Sequence, residues 1–393
     1  MNVVDLVLLV AMLVFALTGW RKGFVYGLLS LVGFLCGAAV GLFIAPKLVG
    51  SWEDGLPKAL TALVVVFFLA MLGQVLTGMV GRRLNAVVTL RPAVLLNQAA
   101  GAVLSVMSLL LVAWFAADIF AGASSSSLAR DVRKSQVLGV VDNIIPMDAS
   151  MATGQLQSMF DNSGFPEVFA GFGPEPVQSI APPDAAIARR PGVVDSSAET
   201  VKIIGNAPGC DHSLEGSGFA FAPNRVLTNA HVVAGVRAPR VVAGGTGTAY
   251  DATVVYFDPD MDLAVLAVPG LPVDPLQFSL KVEAAQSVAV IGYPEDGPLT
   301  VTPGRVRGVQ PALGSDIYRD GHVLREIISM RAQVLPGNSG GPVVDKDGKV
   351  IGVVFASAID SDNTGYAMTA KQVAPAVTEG VSAVDEVGTG PCT

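Results

Sequence analysis

Charged residues are scarce in this chain of 393 residues. Asp, Glu, Lys and Arg make up 15% of it, against about a quarter in ordinary soluble domains, whereas apolar residues make up 51%. The net charge is −8, and the few basic residues form no stripe that would neutralise nucleic-acid phosphates. The composition therefore argues against nucleic acid as a partner and indicates that part of the chain lies in lipid.

Histidine and cysteine are equally rare, with three of each. They are scattered along the sequence without the spacing of zinc ligands. We therefore expect no metal and no other cofactor. A chain of this length usually holds two or three domains.

Long apolar runs are confined to the first third of the chain. Except for the first, which is short, they are long enough to cross a hydrocarbon core of roughly 30 Å as helices. No basic segment precedes the first run and a second run follows at once, so we interpret it as a span and not as a signal peptide. The sequence thus predicts an all-α bundle of four transmembrane helices over residues 1–120, at about Val3–Trp20, Phe24–Ala45, Ala59–Val80 and Ala93–Phe120.

Basic residues mark two of the loops between these runs. Arg21 and Lys22 follow the first run, and Arg82, Arg83 and Arg91 follow the third, whereas the middle loop mixes both signs of charge. Basic loops stay in the cytoplasm, so both ends of the bundle are expected outside. The prediction is a multi-pass protein of the inner or plasma membrane whose C-terminal half faces the periplasm or cell exterior.

Three glycines, Gly33, Gly37 and Gly41, recur every four residues in the second run. A strip without side chains lets a neighbouring helix approach closely. We expect this strip to pack within the bundle and not to line a pore.

The composition changes sharply after Ala121, and residues 121–197 are predicted to form a connecting segment. Leu128–Ile145 spaces its apolar residues as an amphipathic helix, which would lie along the membrane or against the C-terminal half. The Pro-rich stretch that follows predicts a partly flexible tether over Gly154–Ala198.

Residues 198–393 contain many short runs of β-branched and aromatic residues separated by turns. This pattern predicts an all-β barrel or sandwich. Within it, Ser339 stands in a glycine-rich turn, Gly337-Asn338-Ser339-Gly340-Gly341, between two apolar runs. Glycine allows such a turn to point successive N–H groups into one concavity, which is what a serine nucleophile needs for the oxyanion it creates.

A base and an acid for Ser339 are found upstream. His231 follows a strand-like run, and Asp262 stands at the head of another. Asp258 and Asp260 lie close by but in a Pro-containing turn, so Asp262 is the predicted orienting acid. The sequence thus predicts a catalytic triad of His231, Asp262 and Ser339.

The motifs TNAHVV, DLAVL and GNSGGP that carry these residues resemble those of the trypsin-like serine proteases, in particular the HtrA-like bacterial branch. The resemblance covers about Ala198 to Val377. It implies a chymotrypsin-type double six-stranded barrel and hydrolysis of protein or peptide substrates through an acyl-enzyme. It also implies an oxyanion hole formed by the N–H groups of Gly337 and Ser339.

The four-span region resembles the colicin V production (CvpA-like) membrane domains. The combination of the two halves is similar to the actinobacterial membrane-anchored proteases of acid resistance, and it implies processing of envelope proteins in acid or oxidative stress. The alternative is a catalytically silent, peptide-binding or transport-associated scaffold. Three intact triad residues argue against that alternative.

Two further features concern specificity and redox state. Gln333 stands six residues before Ser339, where trypsin-like relatives that cleave after basic residues carry an acid, although Asp360 and Asp362 remain candidates to replace it. Cys210 and Cys392 bracket the catalytic half and lie on the predicted oxidising side, so we expect a disulfide between them.

Overall fold

The computed structural model describes residues 2–49, 56–87, 89–121, 131–144, 168–169, 175–207, 212–245, 247–358 and 363–392. The chain divides into two compact units, one N-terminal and helical and the other C-terminal and rich in β-strands. The division falls inside the predicted connecting segment, so that its described parts belong to different units.

Four helices dominate the N-terminal unit, and all four are long and apolar enough to cross a membrane. The predicted set of four apolar helices is therefore confirmed. A reciprocal cap begins α1, because Asn2 accepts the Asp5 N–H at 2.9 Å while Asp5 accepts the Asn2 N–H at 3.0 Å. The helices are α1 (Val3–Lys22), α2 (Phe24–Val49), α3 (Leu56–Asn85) and α4 (Arg91–Ala121).

The glycine strip of α2 packs directly on α3. A Cβ atom added at Gly37 would lie 2.2 Å from the Leu69 carbonyl oxygen, and one at Gly33 would lie 2.4 Å from that of Gly73. Since carbon and oxygen atoms do not approach so closely, only glycine permits this separation of the two helix backbones. The expectation of packing within the bundle is confirmed.

The predicted amphipathic segment packs on the bundle. Helix α5 (Gln136–Ile144) places Leu138 in an apolar cluster with Leu8 of α1 and Ala117 of α4. Ser135 Oγ donates to Asp5 Oδ1 at 2.7 Å, and Trp114 Nε1 donates to Asp142 Oδ1 at 2.8 Å. The described part of this segment thus lies against the ends of α1 and α4, a position that neither expectation named. Residues 128–130 and 145 of the predicted helix lie outside the described residues.

Two antiparallel sheets form the C-terminal unit. The described strands are β1 (Thr200–Ala207), β2 (His212–Ala222), β3 (Arg225–Thr228), β4 (Arg240–Ala243), β5 (Ala249–Asp251), β6 (Thr253–Asp258), β7 (Leu263–Ala267), β8 (Ser287–Gly292), β9 (Thr300–Ser315), β10 (His322–Arg331), β11 (Pro342–Val344), β12 (Val350–Ser357) and β13 (Thr364–Thr369). The first sheet has the order β5-β4-β1-β2-β3-β7-β6, and the second is a closed six-stranded barrel of order β10-β13-β12-β11-β8-β9.

The fold class expected for this half is confirmed, with one correction to the strand count. The first sheet has seven strands instead of six, because the chain after β4 turns back and Ala249–Asp251 pairs along its edge. Val201, Leu227 and Leu266 are among the buried residues of this half. Helix α7 (Ala370–Gly380) follows β13 and begins at a Thr369 cap, whose hydroxyl accepts the Gln372 N–H at 3.1 Å.

Residues 175–198 are held on the C-terminal unit, which corrects this part of the partly flexible tether expected over 154–198; residues 154–167 and 170–174 lie outside the described residues. Helix α6 (Pro191–Ala198) buries Val193 completely, and Ser196 Oγ donates to the Gly348 carbonyl at 2.8 Å. Upstream of α6, arginines of β9 and β10 donate to alternate backbone carbonyls: Arg307 to Gln178, Arg331 to Ile180 at 2.8 Å and Arg305 to Pro182 at 2.9 Å. A Pro-rich composition favours extended backbone, and extended backbone also suits docking against a sheet.

Candidate active site

Strand pairing brings His231 and Asp262 to one end of the first sheet. Strands β3 and β7 are antiparallel, with Thr228 opposite Ala264. The end of β3 therefore lies beside the start of β7. His231 comes three residues after β3, and Asp262 comes directly before β7. The two side chains meet because each belongs to the loop at that common end.

A bidentate contact joins the two residues. His231 Nδ1 lies 2.8 Å from Asp262 Oδ2 and 2.9 Å from Oδ1, and the His231 backbone N–H donates to Oδ1 at 3.0 Å. Asp262 is fully buried. With Nδ1 donating to a carboxylate, the imidazole presents an unprotonated Nε2, which is the form a general base requires.

Asp262 adopts a left-handed backbone conformation, with φ of 56°. Such a conformation is unfavourable for a residue other than glycine and persists only where neighbours hold it. Asn229 Nδ2 provides one such contact by donating to the Asp262 carbonyl at 2.8 Å. The neighbouring acids differ, because Asp260 is exposed and Asp258 accepts the Met261 N–H at 2.9 Å within the turn.

Ser339 lies on the second barrel, in the loop that precedes β11. Its carbonyl accepts the Ser217 N–H at 2.8 Å, and a Cβ at Gly216 would touch both the Ser339 carbonyl and the side chain of Val232. Ser339 is therefore held beside the loop of His231. The described residues include no hydrogen bond from the Ser339 hydroxyl to His231, in keeping with catalytic hydrogen bonds that shorten only when substrate binds.

The loop around Ser339 leaves two backbone donors open. Among the described residues, neither the Gly337 N–H nor the Ser339 N–H donates to a protein acceptor. Gly337 has φ of 91°, and a Cβ there would lie 2.3 Å from the Tyr293 carbonyl oxygen, so this position requires glycine. The Pro336 carbonyl is engaged elsewhere, since it accepts the Glu295 N–H at 2.8 Å.

Ser217, which none of the sequence motifs singled out, supports this loop. The Ser217 hydroxyl donates to the Gly337 carbonyl at 2.6 Å and accepts the Tyr293 N–H at 2.9 Å. It is completely buried. The only trace of this role in the sequence is a serine between Gly216 and Gly218, two glycines that admit close backbone approach.

Of the remaining predicted residues, Gln333 is exposed and lies between β10 and the Ser339 loop. Asp360, Asp362 and Cys210 lie outside the described residues. Cys392 is described, and a Cβ at Gly235 would lie 3.0 Å from its Sγ. The contact places the C-terminal cysteine against the segment that follows His231.

Comparison with known proteins supports both halves of this architecture. Residues 216–353 match the trypsin-like peptidase domain, and residues 4–146 match the Colicin V production protein. The serine protease Rv3671c of Mycobacterium tuberculosis is 37% identical over 391 residues, covering 99% of this chain and 98% of that protein. The putative mitochondrial protease Do-like 3 of Arabidopsis thaliana is 33% identical over 180 residues, covering 44% of this chain and 30% of that protein.

A solved structure agrees with the fold of the C-terminal unit. The crystal structure of the active form of the Rv3671c protease from M. tuberculosis superimposes with a TM-score of 0.54 at 44% identity, covering 57% of this chain and 99% of that one. A trypsin-like domain that follows four apolar helices defines a membrane-anchored serine protease. The present chain belongs to the trypsin-like serine protease family of its mycobacterial relative, with a Colicin V production-type membrane domain.

Proposed function

We propose that this protein is an endopeptidase in which His231, Asp262 and Ser339 cleave peptide bonds of envelope proteins outside the cytoplasmic membrane. One observation carries the proposal: the buried carboxylate of Asp262 contacts the partly exposed His231 beside a serine loop with two open N–H groups. The competing scaffold hypothesis would need neither feature, and no contact in the described residues favours it.

The geometry supports a defined course for the reaction. Asp262 holds His231 with Nε2 free, and Nε2 takes the proton of Ser339 as Oγ attacks the scissile carbonyl. The oxyanion forms hydrogen bonds to the N–H groups of Gly337 and Ser339, and loss of one such donor costs about 2.7–4 kcal/mol in comparable sites. His231 then returns the proton to the leaving amine, and water hydrolyses the acyl-enzyme.

The proposed location follows from charge at the helix ends. Arg21 and Lys22 end α1, and Arg82 and Arg83 end α3, which favours the cytoplasm for this face of the bundle. The C-terminal end of α4 belongs to the opposite face, so the chain that follows is exported. Anchoring at the membrane supports a role in processing envelope proteins. The part of the proposal that concerns acid or oxidative stress rests only on the resemblance of the two halves to membrane-anchored proteases of acid resistance.

We also propose a Cys210–Cys392 disulfide in the catalytic half. Ala207 and His212 are paired across the β1–β2 hairpin on either side of Cys210 in the sequence, and Gly205 of the same hairpin contacts Val236. The C-terminal tail reaches this region, since Gly235 N–H donates to the Thr389 carbonyl at 3.2 Å. On the loop-entropy model, a bond that closes the loop of roughly 180 residues between the two cysteines would stabilise the fold by about 5 kcal/mol.

The triad is tested by a fluorophosphonate probe on the full chain in detergent. Ser339 Oγ should displace fluoride from phosphorus and retain the probe, because His231 removes its proton. Ser339→Ala and His231→Ala should abolish labelling, and Asp262→Asn should slow it by about 10³–10⁴-fold. Ser382→Ala and His322→Ala are matched controls that should label normally. A wild-type chain that stays unlabelled from pH 5 to pH 8 would refute the triad.

Sidedness is tested in a chain whose three native cysteines are replaced by serine. A membrane-impermeant thiol reagent on intact cells should label a cysteine introduced at position 51, which comes between α2 and α3 in the sequence, and should not label one introduced at position 82 in the last turn of α3. Successive helices of the proposed topology end on opposite sides of the membrane, so access reports sidedness. The reverse labelling pattern would place the protease half in the cytoplasm.

The disulfide is tested by intact mass after denaturation with a thiol-alkylating reagent. We expect one alkylated cysteine, Cys36, before reduction and three after it, because only Cys36 would be unpaired. Cys392→Ser should add one alkylatable thiol, that of Cys210, to the unreduced chain. Three alkylated cysteines in the unreduced wild-type chain would exclude the pairing.

A further inference from the structure

A buried cation lies where the second barrel meets the turn that carries Asp262. Arg325 belongs to β10, and its side chain is only 1% exposed. One guanidinium nitrogen, Nη2, donates to the carbonyl of Asp260, two residues before Asp262. Arg325 therefore connects the second barrel to the loop that supplies the acid from the first sheet.

Two further contacts hold the guanidinium, although its Nε is buried and makes no hydrogen bond among the described residues. Nη1 and Nη2 both donate to the Ser315 carbonyl at 3.0 Å, and the group lies over the ring of Phe355 at 5.9 Å from its centroid. A planar fork held by two carbonyls and an aromatic face has little freedom to move. Its position thus fixes the Asp260 carbonyl relative to the barrel.

The charge of Arg325 is balanced without a direct ion pair among the described residues. Its hydrogen bonds all go to carbonyl oxygens. Burial lowers the pKa of the guanidinium, and the carboxylates that face it oppose that change: Asp262, Asp316, Asp258 and Asp260. Asp262 is thus one of four carboxylates that interact electrostatically with the buried guanidinium of Arg325.

Two further residues hold the same turn. The Ile317 N–H, from the connection between β9 and β10, donates to the Pro259 carbonyl at 3.2 Å, and Gln372 Nε2, from α7, donates to the Met261 sulfur at 3.3 Å. This turn ends at Asp262, whose left-handed backbone needs support from its surroundings. Of these three residues that hold the turn, Arg325 alone brings a positive charge.

We propose that Arg325 is a positioning residue for the triad, an inference that rests on the proposed function. Its fork holds the 258–262 turn so that the Asp262 carboxylate stays on His231 Nδ1. Its charge acts through Asp262, because a cation beside the carboxylate weakens the attraction between that carboxylate and an imidazolium. The dependence of the reaction rate on pH is therefore expected to change when this charge is removed.

Two substitutions separate position from charge. Arg325→Lys keeps the charge but loses the planar fork, and Arg325→Gln keeps part of the donor set but loses the charge. The control is Arg225→Gln. Arg225 also donates to backbone carbonyls, those of Asn224, Gly380 and Ala383, but it lies at the end of β3 that is remote from His231.

The measurement is the second-order rate of fluorophosphonate labelling of the full chain between pH 4.5 and pH 8.5. For Arg325→Gln we expect the acid limb of the profile, the pH at which the labelling rate falls to half of its plateau on the acid side, to rise by about 0.5–1 pH unit. We also expect the plateau rate to fall about tenfold, since small displacements of a catalytic group are costly. Arg325→Lys should lower the plateau and leave the acid limb in place. Arg225→Gln should change neither quantity.

The possible results separate the role proposed for Arg325 from the catalytic function proposed for the triad. An unlabelled wild-type chain would overturn the triad and the role of Arg325 together. A labelled wild type with an unshifted acid limb in Arg325→Gln would overturn the electrostatic role alone, and a wild-type plateau in Arg325→Lys would overturn the positioning role. Where Arg325→Gln does not fold, as judged by circular dichroism, an upward shift of the acid limb in Arg325→Lys would refute the proposal.

Discussion

The contact between a buried carboxylate and the imidazole of His231 is the interaction on which the rest of the site depends. A carboxylate taken completely out of water needs donors, and Asp262 finds them in the His231 side chain and the His231 backbone N–H. The same contact fixes the tautomer of the ring. The buried carboxylate of Asp262 thus determines which ring nitrogen of His231 faces away from it.

The second barrel supplies the groups that the His231–Asp262 pair lacks. The first sheet provides His231 and Asp262 from adjacent strand ends, whereas the second barrel provides Ser339 and the contacts that hold the Asp262 turn. A displacement of the first sheet relative to the second barrel would therefore separate Ser339 from His231 and would also release the turn that holds Asp262. The segment 175–198 adds a long stretch of contacts along the barrel.

Most of this arrangement was predictable from the sequence. Four apolar runs define the membrane helices because lipid requires about 20 apolar residues per span. Three motifs single out His231, Asp262 and Ser339 because so few histidines compete and the acid adjoins a strand. The glycine spacing in α2 likewise predicted close packing on α3.

Other features were not predictable, for physical reasons. The stretch 175–198 has the composition of a linker, and only the arginine donors of β9 and β10 and a pocket for Val193 turn it into a docked segment. Ser217 and Arg325 act through contacts to residues far away in the sequence, so local patterns carry no trace of Arg325 and little of Ser217. The additional strand of the first sheet, β5, is three residues long, which is too short for an alternating pattern to be recognised in the sequence.

The central claim is that His231 and Ser339 form one site, and it is tested most directly by a peptidyl chloromethyl ketone with an apolar P1 residue. The reagent must bind at the serine before it alkylates the imidazole. Peptide mapping should therefore find one equivalent on His231, and Ser339→Ala or prior fluorophosphonate labelling should prevent it. Equal alkylation of His231 in Ser339→Ala, or alkylation of His212 or His322 instead, would contradict the account.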